Sequence, residues 1–139
     1  MQYWLIKTEP EDWSWTQQTK CGLEGAEWNG VRNFQAAKNL KNMEIGDKCF
    51  FYHTGKTKSI IGIVKVIKKA FLDKSDKTKK FVSVVVQALY PLKREVCLHE
   101  IKKNRHFKDF SLVKQSRLSV MKVDFKYWKK ICKMGKIQS

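Results

Sequence analysis

Apolar residues occur in short runs along this chain, and their spacing switches between strand-like and helical. Tyr3 to Thr8 is an apolar run ended by Glu9-Pro10, which predicts a buried strand and a turn. Ser14 is placed to cap a short helix reaching about Lys20, and Cys21-Gly22 with Gly25 marks a loop leading to Trp28. Asn33 is placed to cap a second helix through Met43, with Phe34, Ala37, Leu40 and the stem of Lys41 on one face. Beyond the turn at residues 43–47, strands are predicted at Lys48 to Thr54, Ile60 to Lys68 and Phe81 to Tyr90. The polar stretch Asp73 to Lys80 reads as a solvated, mobile charge run. A helical turn at Leu98 to Lys103, a last strand at Arg117 to Val123 and a helix capped by Asp124 complete the pattern. That last helix turns Phe125, Trp128, Ile131 and Cys132 inward, and Lys126, Lys129, Lys130 and Lys133 to a solubilising outer face. Strands and helices mix without regular βαβ alternation, so the expected fold is α+β, one domain over residues 1–139 around a small curled sheet or barrel.

Size and charge narrow the function. The 139 residues include five Trp and eight Phe, enough for a core, and no apolar run approaches the roughly 18 residues of a membrane span. Met1 to Pro10 carries charge rather than a signal core, so a cytoplasmic, non-membrane protein is expected, with a monomer favoured. The four cysteines form no C-x-x-C pair and the three histidines no metal-ligand spacing, so neither metal nor cofactor is expected. The net charge of +16 is uneven. Residues 1–50 hold six Lys/Arg against seven Asp/Glu, whereas residues 51–139 hold 23 against six. A neutral aromatic third beside a basic remainder suits a polyanion whose backbone lies on the basic part.

The candidate chemistry is recognition of a flat ligand. Trp28-Asn29-Gly30-Val31-Arg32-Asn33 places an aromatic ring, two amides, a glycine and a guanidinium in six residues ahead of a helix. Trp and Arg hold a planar ring by its face, Asn reads its edge, and Gly admits close backbone approach, which points to a nucleobase. Within the stretch Trp28 is the stacking residue, and Arg32 and Asn33 hold phosphate or the base edge. Gly55-Lys56-Thr57 is not a phosphate loop, because Phe50 stands where the motif needs glycine. No nucleophile elbow, carboxylate pair or Cys-His signature surrounds Glu9, Cys49 or His53, and about 13 Å of extended strand separates Cys49 from His53. A non-catalytic protein is expected. The alternatives are a general RNA-binding module led by its lysines, and an enzyme acting on a nucleotide, a modified one by the resemblance described next, using Glu9 or His53 as acid or base.

A set of motifs then points to a family. Tyr3-Trp4-Leu5-Ile6-Lys7-Thr8-Glu9-Pro10, Trp13-Ser14, Trp28 to Phe34, Gly46-Asp47 with Phe51-Tyr52-His53-Thr54, and Ser116-Arg117-Leu118-Ser119-Val120 together resemble the EVE domain, in order and over nearly the whole chain. Thr54 stands where that family usually has Ser, and Met121-Lys122 where it commonly has Gln-Pro. The resemblance implies a PUA-like fold, a small curled mixed β-barrel with flanking helices, related to thymocyte nuclear proteins and to the YTH readers of methylated adenine. It also implies binding of DNA or RNA through a pocket for an extruded modified base, modified cytosine or similar. By that similarity Trp28, Asn29, Val31, Asn33, Tyr52, His53, Arg117 and Ser119 line or border the pocket, Arg32 meets phosphate or base edge, and Lys7, Glu9 and Pro10 form an adjoining wall.

Overall fold

The computed structural model describes residues 1–139. Six strands form one sheet: β1 (Tyr3–Thr8), β2 (Ala26–Trp28), β3 (Lys48–His53), β4 (Ser59–Leu72), β5 (Val82–Cys97) and β6 (Val120–Lys122), in the order β2-β5-β4-β3-β1-β6. Only β1 and β3 run parallel, with Tyr3 opposite Lys48 and Thr8 opposite His53. The other pairings are antiparallel. Five helices flank the sheet: α1 (Trp15–Lys20), α2 (Phe34–Asn42), α3 (Leu98–Lys103), α4 (Ser111–Lys114) and α5 (Phe125–Met134). The α+β expectation holds, with the sheet curled into a half-barrel whose edge strands, β2 and β6, do not pair with each other. No helix is long and apolar enough to cross a membrane.

Local chemistry accounts for the helix ends. Ser14 and Gln17 form a reciprocal capping box on α1, and the Asn33 side chain accepts the Ala36 amide of α2 at 2.9 Å. Helix α2 buries Ala36, Ala37 and Leu40 and is tied to β6 by the Asn39 side-chain amide, which donates to the Val120 carbonyl at 2.7 Å. Phe34 departs from expectation: at the first helical position it points outward and is 68% exposed. The long hairpin β4–β5 also exceeds its predicted span. Pro91 ends the sequence pattern, but it sits opposite Gly62 at a register shift, where the missing proline N–H is tolerated and the strand continues. The predicted last strand shortens to Val120–Lys122, and β2 is a short edge strand that polar Glu27 and the flanking glycines conceal from sequence patterning.

One apolar cluster runs from Trp4 to Cys132, so the first strand and last helix share a core. Trp128 of α5 stacks on Phe50 at 3.9 Å between ring centroids and packs on Tyr3 at 4.6 Å. Phe125, on the same predicted stripe, is half-exposed. Trp128→Ala should therefore cost about 3–5 kcal/mol in urea unfolding and Phe125→Ala less than about 1 kcal/mol. Equal losses would show that the core does not extend under α5 as described.

Candidate base-binding cleft

A cavity of about 600 Å³ opens at the seam of the half-barrel, where the curl brings the β2 edge toward the β1–β6 side. Ala26, Glu27 and Trp28 line it from β2, Lys7 and Thr8 from the end of β1, Glu9, Asp12 and Trp13 from the following turn, Asn29 to Arg32 from the loop, and Ser119 from the segment before β6. Strand pairing and turn bonds place these walls. Trp28 pairs with Val84 of β5, the Lys7 amide donates to the Ser119 carbonyl at 2.9 Å, and the Asp12 and Trp13 amides both donate to the Glu9 carbonyl at 2.9 Å. The Thr8 hydroxyl donates to the Trp13 carbonyl at 3.0 Å, closing the turn.

Trp28 is nearly buried, 7% exposed, and what remains open borders the cavity. Its ring meets Phe51 edge-on at 5.6 Å, and the same Phe51 ring receives Trp15 at 5.2 Å and His53 at 5.6 Å. Phe51 thus acts as a rigid backing for the wall. His53 accepts the Trp15 amide at 3.1 Å through Nε2, which requires that nitrogen to be unprotonated. Burial lowers its pKa, partly opposed by Glu95 and Glu9. Glu9 accepts the Thr54 hydroxyl at 3.2 Å, and Gly55 leaves the space its carboxylate fills, since a Cβ there would lie 2.7 Å from Glu9 Oε1.

The loop wall is held by Asp73, which is 2% exposed. One carboxylate oxygen accepts the Gly30 amide at 2.8 Å and Arg32 Nη1 at 3.1 Å, and the other accepts the Ser75 amide at 2.8 Å and hydroxyl at 2.6 Å. Gly30 adopts φ +79, the left-handed region glycine enters without a Cβ penalty. Burial pushes the Asp73 carboxyl up, but the hydrogen bonds from Ser75, Gly30 and Arg32 outweigh it and hold the pKa at about 2. Asp76 repeats the device, accepting the amides of Thr78, Lys80 and Phe81, and the Thr78 hydroxyl leads the causes that lower its pKa. The expectation of a solvated charge run at residues 73–80 is thereby corrected at its two aspartates. Both Asp side chains turn inward and cap the loop's amides, while its lysines, Ser75 and Thr78 face water.

The cavity contains seven of the residues singled out from the sequence, Lys7, Glu9, Trp28, Asn29, Val31, Arg32 and Ser119. Pro10, Asn33, Tyr52, His53 and Arg117 lie outside its lining. Asn33 spends its side chain capping α2, Tyr52 is buried at 2% exposure, with Lys7 Nζ 5.6 Å from its ring, and Arg117 is exposed. Arg32 borders the cavity with its guanidinium bonded to Asp73, Ser75 and the Val31 carbonyl and 5.4 Å from the Phe81 ring. Trp13 and Asp12 are wall residues that the sequence reading did not select. The signal available was their position just past the Glu9-Pro10 turn already assigned to the wall.

Charge divides the surface. The cavity carries three carboxylates, Glu9, Asp12 and Glu27, against Lys7 and Arg32, and both cations are engaged, Lys7 Nζ donating to the Ser116 carbonyl at 3.0 Å. Burial also lowers the Lys7 pKa. Such a lining disfavours phosphate and favours a planar group with N–H donors.

A curled mixed half-barrel with an aromatic cleft in its seam places the protein in the PUA-like class of α+β folds. Residues 2–134 match the EVE domain, and the chain belongs to that family. It is similar to thymocyte nuclear protein 1 of Danio rerio, 32% identical over 84% of this chain, and spans 64% of that relative's length. The solved structure of Rpa0253 from Rhodopseudomonas palustris is 43% identical with a TM-score of 0.92, covering 98% of this chain and 94% of that one. Human THYN1, solved in complex with 5-methylcytosine-containing DNA, superposes with a TM-score of 0.91 at 26% identity and full coverage of both chains.

The Asp73 bonds predict a pH response. With the folded pKa held at about 2 against an ordinary value of 3.8, the stabilisation is fully present above about pH 4 and is lost as pH falls from about 4 to about 2. Hydrogen exchange should show the Gly30 amide protected at neutral pH and at least about tenfold less protected in Asp73→Asn. Equal protection in the variant would contradict the latch.

Proposed function

We propose that this protein is a non-catalytic nucleic-acid-binding module that accepts an extruded, modified base, of the modified-cytosine kind, in the seam cavity. The observation that carries this reading is the lining itself. Trp28 and Trp13 supply apolar ring surface, Glu9, Asp12 and Glu27 supply acceptors for the exocyclic amino group of a cytosine edge, and the Asn29 side-chain amide supplies a donor for its N3 or O2. The relative of matching fold solved with 5-methylcytosine-containing DNA supports the class of ligand.

The energetics fit a two-part grip. Extruding a base costs a few kcal/mol, and stacking on one aromatic ring returns about 1–3 kcal/mol. Phosphates are left to the lysine-rich surface, where 23 of the 29 basic residues lie beyond residue 50, so affinity falls with salt. A single methyl group adds about 0.8 kcal/mol on burial, which limits discrimination by the methyl alone to about fourfold. Greater selectivity requires the polar wall to reject the unmodified base.

Binding of short DNA carrying one 5-methylcytosine, compared with the same strand unmodified, tests this at two salt concentrations. The expected result is a preference of about fourfold or more that persists as salt lowers both affinities, and losses of preference in Trp28→Phe and in the exposed-site variant Asn29→Ala. Equal affinity for both strands, with both variants behaving as the parent, contradicts the pocket and leaves a general lysine-led binder.

A further inference from the structure

Phe34 is exposed beside the cavity, yet it is not loosely held. Its ring stacks on Phe81 with centroids 5.0 Å apart and planes 28° from parallel, and Phe81 is itself 8% exposed. The Arg32 guanidinium lies over the same Phe81 ring, and Arg32 borders the cavity. Arg32 is in turn fixed by Asp73 and Ser75. A continuous series of planar groups therefore leads from the cavity wall through Arg32 and Phe81 to a solvent-facing ring.

Core packing does not account for Phe34, because α2 meets the core through Ala36, Ala37 and Leu40. The surroundings match a nucleic-acid strand. The loop leading into Phe81 carries Lys74, Lys77, Lys79 and Lys80, all exposed and none in an ion pair. Extruding one base removes a stacking partner from its neighbour, and an aromatic face held near the cavity replaces that partner without regard to sequence.

We propose that Phe34 is a stacking platform for the base adjacent to the one in the cavity. This rests on the base-pocket reading of the seam cavity. The platform makes binding depend on a neighbouring base while leaving recognition of the cavity base to the Trp28 wall.

The test uses the intact chain with two probes: free 5-methyldeoxycytidine, and a short single strand of DNA carrying one such residue. Phe34→Ala should weaken strand binding by about tenfold, Phe34→Trp should restore it, and neither should alter nucleoside binding followed by NMR titration. Replacing both flanking nucleotides with abasic sugars should remove the difference between parent and Phe34→Ala. Unchanged strand binding in Phe34→Ala overturns the platform, as does an equal loss on the abasic-flanked strand, while nucleoside binding in either case leaves the pocket standing. Absence of nucleoside binding to the parent, with equal affinity for modified and plain strands, overturns the pocket and the platform with it.

Discussion

A carboxylate buried among strand ends must be answered by donors, and the way Asp73 is answered organises the functional side of this protein. Its oxygens draw together the Gly30 amide, the Arg32 guanidinium and Ser75, three groups from two loops far apart in sequence. Removing one donor from such a site leaves a buried charge short of partners, so the arrangement resists partial opening. The cleft wall from Trp28 to Arg32 is therefore rigid on its loop side, as Phe51 makes it rigid on its aromatic side. A binding surface fixed before the ligand arrives spends less of its binding free energy on ordering.

The seam explains why the cleft lies where it does. Parallel pairing of β1 with β3 aligns Lys7 with Tyr52 and Thr8 with His53, and β6 adds to the free side of β1. The other edge, β2, comes round with the curl of the sheet, and α2 bridges toward β6 through Asn39. Residues from both ends of the sheet then face one space. Acidic and aromatic groups gather there, while lysines cover much of the rest of the surface, a division that the proposed function uses to separate recognition of a base from attraction of its backbone.

Much of this was legible in the sequence, for reasons specific to each element. The run Tyr3–Thr8 closed by proline, the Ser14 and Asn33 caps, and the helical spacing of Trp128, Ile131 and Cys132 are local signals with local causes, and they mark β1, α1, α2 and α5. The misses came where tertiary context overrides local pattern. Pro91 is carried through a strand by a register shift, β2 exists only because β5 offers it an edge, and Asp73 and Asp76 turn inward because loop amides need acceptors. For the cleft, the Trp28–Arg32 wall and the Lys7–Glu9 wall were readable as residue types. That Trp13 and Asp12 join them depends on a turn, and that His53 packs against Phe51 while Tyr52 is buried beside Lys7, both outside the lining, depends on strand alternation and packing.

In the proposed function one seam cavity, not the lysine surface, recognises the base. The most direct measurement is an NMR titration of the protein with a short DNA strand carrying one 5-methylcytosine, followed at the indole N–H of Trp13 and Trp28, the side-chain amide of Asn29 and the backbone amide of Gly30. Large shifts are expected at these four groups that the unmodified strand reproduces only weakly, with smaller and salt-sensitive shifts at surface lysine sites. Shifts confined to lysine-bearing segments and identical for both strands would contradict recognition in the cavity.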